Sequence, residues 1–134
     1  MSVEHINPES LFKLPGFGQI SVQPAGRRLA FVAGQTALDT AFQIQGETFS
    51  EQVRFAFVNV AHALVELGAT PGDVIHMTFY IVGLSDARFQ EFAAGLAVAL
   101  DGEPFPACAS AVVGVDRLAL DGLLIEMSAV VAIA

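Results

Sequence analysis

The chain has 134 residues, of which 54% are hydrophobic and 15% charged, and its 14 acidic against 6 basic residues leave a formal net charge of −8. This length predicts a single domain, residues 1–134, with a buried core. The negative charge argues against nucleic acid as a partner, because phosphate binding needs a surface rich in lysine and arginine. No apolar run reaches the roughly 18 residues of a spanning helix, so we expect no membrane segment.

The apolar content is high for a small soluble monomer, which predicts that partner subunits cover part of the surface. The first ten residues include acids and no apolar core of a secretory signal. A single cysteine, Cys108, excludes an internal disulfide. Both features predict a cytoplasmic protein.

The first predicted elements are two strands and a helix. Residues 19–24 (QISVQP) alternate polar and apolar side chains, AGRR supplies a turn, and residues 29–35 (LAFVAGQ) follow, which predicts a β-hairpin. Residues 48–51 (TFSE) have the pattern of a capping box, and apolar residues recur behind them at helical spacing. We therefore predict a helix over residues 49–67.

The second half of the chain predicts three more strands and a helix. Residues 74–82 (VIHMTFYIV) are almost all apolar or able to be buried, which predicts a central strand covered on both faces. Ser85 can cap a second helix, which DGEPFP (101–106) ends. Final strands are predicted at about 107–115 and 123–133. The order ββαβαββ predicts an α+β fold with a mixed sheet and both helices on one face.

The titratable and nucleophilic residues form no recognisable catalytic or metal pattern. His5, His62 and His76 lie far apart without ligand spacing, so we predict no metal site. Cys108 adjoins an apolar strand and has no neighbouring cation in sequence, which favours a packing residue over a reactive thiol. Glu126 interrupts the apolar final strand, where a carboxylate needs a partner or solvent; an outward-facing position is the simpler interpretation.

Four motifs are spread over nearly the whole chain. They are GFGQ near the start, FVAGQTALD on the second predicted strand, NVAHALVELGA followed by DVI, and VGVDRLA followed by IE near the end. Together they resemble the Rid family, also known as the YjgF/YER057c/UK114 family. The resemblance implies a chorismate-mutase-like fold, a homotrimer with a small-molecule pocket at each subunit interface, and no metal or cofactor.

The resemblance also implies a chemistry. Archetypal members hydrolyse enamines and imines such as 2-aminoacrylate to 2-keto acids and ammonia. An arginine holds the substrate carboxylate in a bidentate contact, and a glutamate on the last strand positions the attacking water. Here the arginine position falls on Ser110, or on Cys108 if the preceding Pro-Ala pair sets the register. The glutamate position falls on Ser128, and Glu126 matches the preceding acid, which we expect to face the other way.

Other positions of the implied pocket fall on apolar residues. The tyrosine position falls on Phe17, the serine before the family's Gly-Gln falls on Ala33, and the asparagine of the second helix falls near Ala93. The catalytic candidates are Ser110, Ser128 and Glu126. The predicted ligand-binding residues are Phe17, Ala33, Gly34, Ala93, Ser110 and Val112.

The loss of both charged groups predicts a divergent member with a small neutral pocket. Losing a buried charge-assisted partner costs about 2–5 kcal/mol, so we do not expect archetypal 2-aminoacrylate deaminase activity. Two hypotheses stay open: a hydrolase or deaminase for a neutral or differently charged imine, and a non-catalytic trimer that binds a small, mainly apolar metabolite. A ribonuclease, as some relatives have been called, is disfavoured by the net charge.

Overall fold

The structure is a computed structural model that describes residues 2–134. Within this range the elements are β1 (Glu4–Ile6), β2 (Ile20–Val22), β3 (Arg28–Gln35), α1 (Phe49–Glu66), a 3-10 turn (Pro71–Asp73), β4 (Val74–Val82), α2 (Asp86–Ala97), β5 (Ala109–Val115) and β6 (Ile125–Ile133). The predicted α+β fold and its chain order are confirmed, with β1 added in front. No helix in this range is long and apolar enough to cross a membrane.

The main sheet has four strands in the order β3–β6–β4–β5. β4 and β5 are parallel, whereas the pairs of β6 with β3 and with β4 are antiparallel, so the sheet is mixed as predicted. A parallel pair needs a crossover connection, which α2 supplies. Both helices lie on one face of the sheet, because the ring of Phe79 on β4 contacts Phe57 of α1 and Phe92 of α2, with centroids 6.1 Å and 4.7 Å away.

The two helices begin where the sequence predicts. The Thr48 hydroxyl oxygen accepts a hydrogen bond from the Glu51 amide at 3.2 Å, and the Ser85 hydroxyl oxygen accepts one from the Arg88 amide at 3.1 Å. Such N-caps each contribute about 1 kcal/mol to helix stability. Behind the first cap, the apolar stripe of α1 is buried against the sheet; it consists of Phe49, Val53, Ala56, Phe57, Val60 and Leu64.

One buried polar side chain ties α1 to the last connection of the chain. Gln52 is 2% exposed. Its amide nitrogen donates to the Gly122 carbonyl at 2.8 Å, and its amide oxygen accepts from the Leu124 amide at 2.8 Å. Because both ends of the side chain are satisfied, its burial carries no penalty for an unmade hydrogen bond. The contact fixes where β6 begins.

The predicted hairpin between residues 19–24 and 29–35 is wrong. β2 pairs antiparallel with β1, and β3 pairs antiparallel with β6. The Gly18 amide donates to the Cys108 carbonyl at 2.9 Å, so β2 begins beside the start of β5. Since β3 and β5 are the two outer strands of the main sheet, β2 and β3 lie near opposite edges.

Arg27 explains why the chain does not fold back after β2. Its guanidinium donates to Asp73 Oδ1 at 2.9 Å and to the Ala132 carbonyl at 2.6 Å. These contacts anchor the turn to the start of β4 and the end of β6. The AGRR turn therefore carries the chain across the end of the sheet, and contacts distant in sequence outweigh the local hairpin pattern.

β4 is an inner strand, but only one of its faces is buried within the chain. Met77, Phe79 and Ile81 face the helices and are at most 2% exposed. The alternate residues remain partly exposed, so cover on both faces is not achieved by a single chain. We call the face away from the helices the outer face; it comprises Leu29, Phe31, His76, Thr78, Tyr80, Ala111, Val113, Glu126, Ser128 and Val130.

Candidate functional site

Ser110 and Val112 lie on the helix side of β5. They pair with Met77 and Phe79 of β4, and paired residues of neighbouring strands point to the same face. The Ser110 hydroxyl oxygen is buried and has no hydrogen-bond partner among residues 2–134. Leaving a buried polar group unpaired costs about 1–3 kcal/mol. The Ser110 hydroxyl is therefore a buried polar group that forms no stabilising hydrogen bond within a single chain.

Cys108, the other candidate for the arginine position, belongs to the core. Its side chain is 4% exposed and packs in the main apolar cluster. Burial raises the pKa of the thiol to about 12, although a backbone hydrogen bond at Met77 acts in the opposite direction. The thiol therefore stays protonated at neutral pH, which agrees with the interpretation as a packing residue.

Glu126 and Ser128 share the outer face of β6. Ser128 pairs with Thr78 and Glu126 pairs with Tyr80, all on the face away from the helices. The expectation that Glu126 faces the other way from Ser128 is wrong, because residues two apart in a strand point to the same side. Ser128, which occupies the position of the family's glutamate, thus has the Glu126 carboxylate two residues away on the same face.

The Glu126 carboxylate packs directly on Gly34. A β-carbon at position 34 would lie 2.5 Å from Glu126 Cδ and Oε2, so any larger residue there would displace the carboxylate. The pairing of β3 with β6 shifts register between Val32 and Gln35, which places Ala33 and Gly34 in the irregular segment. Such bulges re-aim side chains next to functional sites. Within residues 2–134 Glu126 makes no ion pair, and its carboxylate is half-buried.

A polar cleft of about 290 Å³ lies at the end of β3 and includes Gly34. The Asn59 side-chain amide of α1 donates to the carbonyls of Thr36 and Leu38, at 2.8 Å and 2.9 Å. These bonds anchor the loop after β3 to α1. Asn59 was not among the residues predicted for the site; its only signal in the sequence is its place as the first residue of NVAHALVELGA.

Phe17 and Ala93 line a second cleft, of about 340 Å³, between residues 14–17 and α2. We call it the α2 cleft. The Phe17 ring stacks on Phe89 with centroids 5.8 Å apart and an interplanar angle of 16°. The remaining lining residues are Leu14, Pro15, Gly16, Gln90, Leu96, Ala97 and Pro104.

The predicted ligand-binding residues thus fall into three groups within one chain. Phe17 and Ala93 line the α2 cleft, and Ser110 and Val112 lie on the helix side of β5. Ala33 and Gly34 form the irregular segment of β3 against Glu126. Within one chain the structure therefore brings the six predicted ligand-binding residues together only in pairs. The resemblance, by contrast, implies one pocket with contributions from two subunits.

No basic residue takes the place of the missing arginine in the β5 segment. Arg117 follows β5, and its guanidinium donates to the carbonyls of Leu118 and Ala119, at 3.0 Å and 3.4 Å. It also lies 3.3 Å from the exposed carboxylate of Asp121. Arg117 is therefore engaged with its own loop. Among residues 2–134, no group of three or more His, Cys, Asp or Glu side chains is placed to hold a metal ion.

Comparison with known proteins gives a consistent family. The family model described as Endoribonuclease L-PSP matches residues 16–133. A Rid-family protein of unknown function from Yersinia pestis is 30% identical, with a TM-score of 0.89 and coverage of 99% of this chain and 100% of that chain. A YjgF/YER057c/UK114 member from Mycobacterium tuberculosis is 26% identical, with a TM-score of 0.61 and coverage of 89% of this chain and 88% of that chain.

A third solved structure carries a ligand. Escherichia coli TdcF with bound serine is 25% identical, with a TM-score of 0.64 and coverage of 84% of this chain and 87% of that chain. The comparison with curated proteins gave no match. The family model spans most of the chain, and the fold and motifs agree with it. The chain therefore belongs to the Rid family, the YjgF/YER057c/UK114 proteins whose family model is described as Endoribonuclease L-PSP.

Proposed function

We propose that this protein is a cytoplasmic homotrimer that binds a small metabolite in pockets between subunits and hydrolyses a neutral imine or enamine to a carbonyl compound and ammonia. The observation that carries the hydrolysis is the half-buried Glu126 carboxylate, packed on Gly34 and on the same face as Ser128. A second candidate function is a trimer that binds such a metabolite without turnover.

The outer face supports self-association. Phe31 is 76% exposed and Leu29 is 43% exposed, and they pair with the apolar residues Val130 and Ala132 of β6. Large apolar side chains grouped on one sheet face are typical of a subunit interface. We expect the interface to place Phe17, Ala33 and Gly34 of one subunit against the second helix or the last strands of a neighbour.

The residues at the family's two charged positions determine the proposed substrate class. Ser110 and Ser128 are neutral, so a substrate carboxylate would lose water without gaining a guanidinium. The relative TdcF holds serine, which carries a carboxylate. For this chain we propose a substrate without that carboxylate, since neither position supplies a charge, and the hydroxyl of Ser110 is buried on the helix side of β5.

Glu126 supplies the chemistry in this proposal. Its carboxylate orients a water molecule and accepts a proton as the water oxygen attacks the imine carbon. That proton passes to the imine nitrogen, which completes a neutral carbinolamine. The carboxylate then takes the hydroxyl proton and delivers it to the amino nitrogen as the C–N bond breaks, so a carbonyl compound and ammonia leave. Proton transfer by a positioned group contributes about 10²–10⁴-fold to such rates. No cofactor enters this sequence of steps.

The oligomeric state is tested by sedimentation equilibrium. We expect a mass three times the 14.1 kDa of the chain. Phe31→Glu should give a folded monomer, since it places a charge in the proposed interface. Val65→Glu, which replaces an apolar side chain that is 77% exposed on α1 and away from the outer face, serves as the control. A wild-type mass that stays at that of a single chain at all concentrations would refute the trimer.

Turnover is tested with imines released in place. A flavin amine oxidase supplies a neutral imine, a dehydratase supplies 2-aminoacrylate, and carbonyl formation is followed with and without the protein. We expect acceleration with the neutral imine, a loss of about 10²-fold or more in Glu126→Gln, and no loss in the exposed control Glu66→Gln. Equal rates in wild type and Glu126→Gln would contradict the catalytic role of Glu126 and leave metabolite binding as the remaining proposed function.

A graft tests the register of the two lost charges. Wild-type protein should hydrolyse 2-aminoacrylate far more slowly than relatives that have the arginine. Ser110→Arg together with Ser128→Glu should raise that activity, and Cys108→Arg with Ser128→Glu is the register control. Circular dichroism checks that each variant folds, because Cys108 is a core residue and the Ser110 hydroxyl is buried. Wild-type turnover of 2-aminoacrylate equal to that of an arginine-containing relative would overturn the proposed substrate class.

Observations on the two competing functions point in different directions. The α2 cleft and the apolar residues at the tyrosine and asparagine positions favour binding of an apolar metabolite, so thermal-shift and crystal-soak screens with keto acids, imine precursors and aromatic acids should include non-reactive compounds. Ribonuclease activity is disfavoured, because a net charge of −8 repels a polyanion.

A further inference from the structure

A third cleft, of about 320 Å³, lies between α1 and α2, on the side of the main sheet opposite the outer face. We call it the α1–α2 cleft, and its volume lies within the range of small-molecule sites in proteins. None of its lining residues lines the α2 cleft or belongs to the pockets proposed between subunits. The lining residues are Ser50, Arg54, Glu91, Ala94, Gly95, Val98 and Ala99.

The floor of the α1–α2 cleft consists of small residues. Gly95 and Ala99 are half-buried, whereas the other lining residues are exposed. A β-carbon at position 95 would lie 2.6 Å from Val53 Cγ1 of α1. A glycine inside a helix costs about 1 kcal/mol relative to alanine, and the close approach of the two helices requires one here. Ala94 adds a methyl group and Val98, which is 57% exposed, adds an apolar wall, so the cleft offers a surface for a hydrocarbon group.

Two opposite charges lie on the two helices beside this floor. Arg54 and Ser50 are four residues apart on α1 and so share one face of it, whereas Glu91 lies on α2. Among residues 2–134 neither Arg54 nor Glu91 forms an ion pair, so the two charged groups are not bonded to each other across the cleft. The Arg54 guanidinium lies 4.3 Å from the centroid of the Phe55 ring on its own helix. Both charges therefore remain open to a ligand that enters between them.

We propose that the α1–α2 cleft binds a small zwitterion, an α-amino acid with a branched apolar side chain. The Arg54 guanidinium holds the carboxylate, for which its fork of N–H donors is suited, and the Ser50 hydroxyl donates beside it. The Glu91 carboxylate accepts from the ammonium group. The apolar side chain of the ligand covers Ala99 and Val98, which removes apolar surface of both partners from water.

The two charges together select against ions of a single sign. An anion without an ammonium group meets the like charge of Glu91, on a chain whose net charge is −8. A cation without a carboxylate meets the like charge of Arg54. A zwitterion presents each of its groups to the opposite charge, so its two ends bind better together than either does alone.

Three compounds with the same hydrocarbon chain test this selectivity. L-leucine has both charges, 4-methylpentanoate lacks the ammonium group, and 3-methylbutylamine lacks the carboxylate. Each is titrated at pH 7 into the isotopically labelled protein, and backbone amide shifts are followed by NMR. We expect saturable shifts at Arg54, Gly95 and Ala99 with leucine, and binding weaker by about fivefold or more for each analogue. Equal affinity for leucine and either analogue, or leucine shifts confined to other residues, would refute the site.

Removal of one charge at a time assigns the two ends of the ligand. Arg54→Met and Glu91→Gln should each weaken leucine binding by about fivefold or more. In Glu91→Gln the preference for leucine over 4-methylpentanoate should also disappear, which a merely structural effect would not produce. Arg117→Met and Glu66→Gln change the net charge equally at exposed positions outside the cleft and should bind leucine as wild type does. Undiminished leucine binding in Arg54→Met or in Glu91→Gln would overturn the proposal.

A pair of leucine substitutions locates the ligand on α2. Ala94→Leu places a larger side chain in the cleft and should weaken leucine binding by about tenfold or more. Ala87→Leu, exposed on the same helix and outside the cleft, should bind as wild type does. Equal affinity in these two variants would contradict binding in the α1–α2 cleft.

The outcome is independent of the proposed function. Phe31→Glu and Glu126→Gln, both on the outer face, should keep leucine affinity within twofold. Loss of binding in folded Glu126→Gln would place leucine in the pocket proposed for the imine, and loss in folded Phe31→Glu would show that a second subunit is needed; either result would refute this site. A wild type that binds leucine as described but hydrolyses no imine would refute the proposed hydrolysis and retain the α1–α2 site.

Discussion

The two faces of the main sheet differ in how far a single chain completes them. On the helix side, aromatic rings of α1, α2 and β4 interlock, and Gln52 has both of its polar ends bonded. On the outer face, Phe31 is 76% exposed, and Glu126 is half-buried with no ion pair among residues 2–134. The helix side contains the core that stabilises the fold. The exposed aromatic ring and the half-buried carboxylate of the outer face are typical of a surface that contacts another molecule.

The largest expected effect tests the helix side. Phe57→Ala removes a ring that is 0% exposed and contacts Phe79 and Phe105. Such a truncation costs about 3–5 kcal/mol of unfolding free energy, measured by chemical denaturation. Phe31→Ala on the outer face should cost the isolated subunit less than about 1 kcal/mol, because an exposed ring loses little burial. Similar losses of unfolding free energy in Phe57→Ala and Phe31→Ala would show that the two faces contribute equally to the stability of one chain.

Gly34→Ala tests how tightly the outer face is built around Glu126. The added methyl group would lie 2.5 Å from the carboxyl group, so we expect a loss of about 1–3 kcal/mol. Glu126→Ala should relieve the clash, so the double variant should be more stable than Gly34→Ala alone. Gly72→Ala is the control, because its nearest neighbour would be Thr70 Oγ1 at 3.8 Å. An additive double-mutant cycle would show that the two residues do not touch.

Cys108→Ala sharpens the assignment of this residue to the helix side. Removing a small buried group should cost roughly 1 kcal/mol and leave ligand binding intact. A thiol pKa of about 12 also implies very slow alkylation of the native protein at neutral pH. Since the charged thiolate is disfavoured by burial, the rate should rise only at strongly alkaline pH. Rapid stoichiometric alkylation at pH 7 with loss of function would contradict the core position.

The smallest effect concerns the one buried side-chain oxygen without a partner among the described residues. Ser110→Ala removes this hydroxyl from the helix side of β5, so the protein should become more stable by up to about 1 kcal/mol. Ser110→Cys keeps a polar group of similar shape as a comparison. A loss of stability in Ser110→Ala would mean that the hydroxyl is hydrogen-bonded in solution.

Local patterns were sufficient for most of the fold. The cap at Thr48, the periodic stripe of α1 and the apolar run of β4 each depend on near neighbours, and the predicted helix and strand agree with the structure. The predicted cover of both faces of β4 is not achieved by a single chain. The partner of residues 19–24 could not be predicted, because Arg27 anchors the turn to Asp73 and Ala132, far away in sequence. Local propensity carries no information about such contacts.

The candidate site was less predictable than the fold. The resemblance indicated which positions lack charge, but the contact of Glu126 with Gly34 joins residues far apart in sequence, and no local pattern identifies such a contact. Asn59 was missed because a single asparagine within a helix has no distinctive spacing. Its partners are backbone carbonyls, which are the same for every residue type.

The N-terminal arm, by which we mean the described residues before β3 (2–27), also bears on how the protein avoids fibrous aggregation. Without this arm, the start of β5 would present unpaired backbone N–H and C=O groups at the edge of the sheet, and strands of other molecules could pair with them. Gly18 bonds to the Cys108 carbonyl, and Ser21 Oγ accepts from the Ala109 amide at 2.9 Å, so the arm occupies this part of the edge. At the opposite edge, the irregular segment of β3 interrupts regular pairing. Both margins of the sheet are thereby poor templates for growth by strand addition.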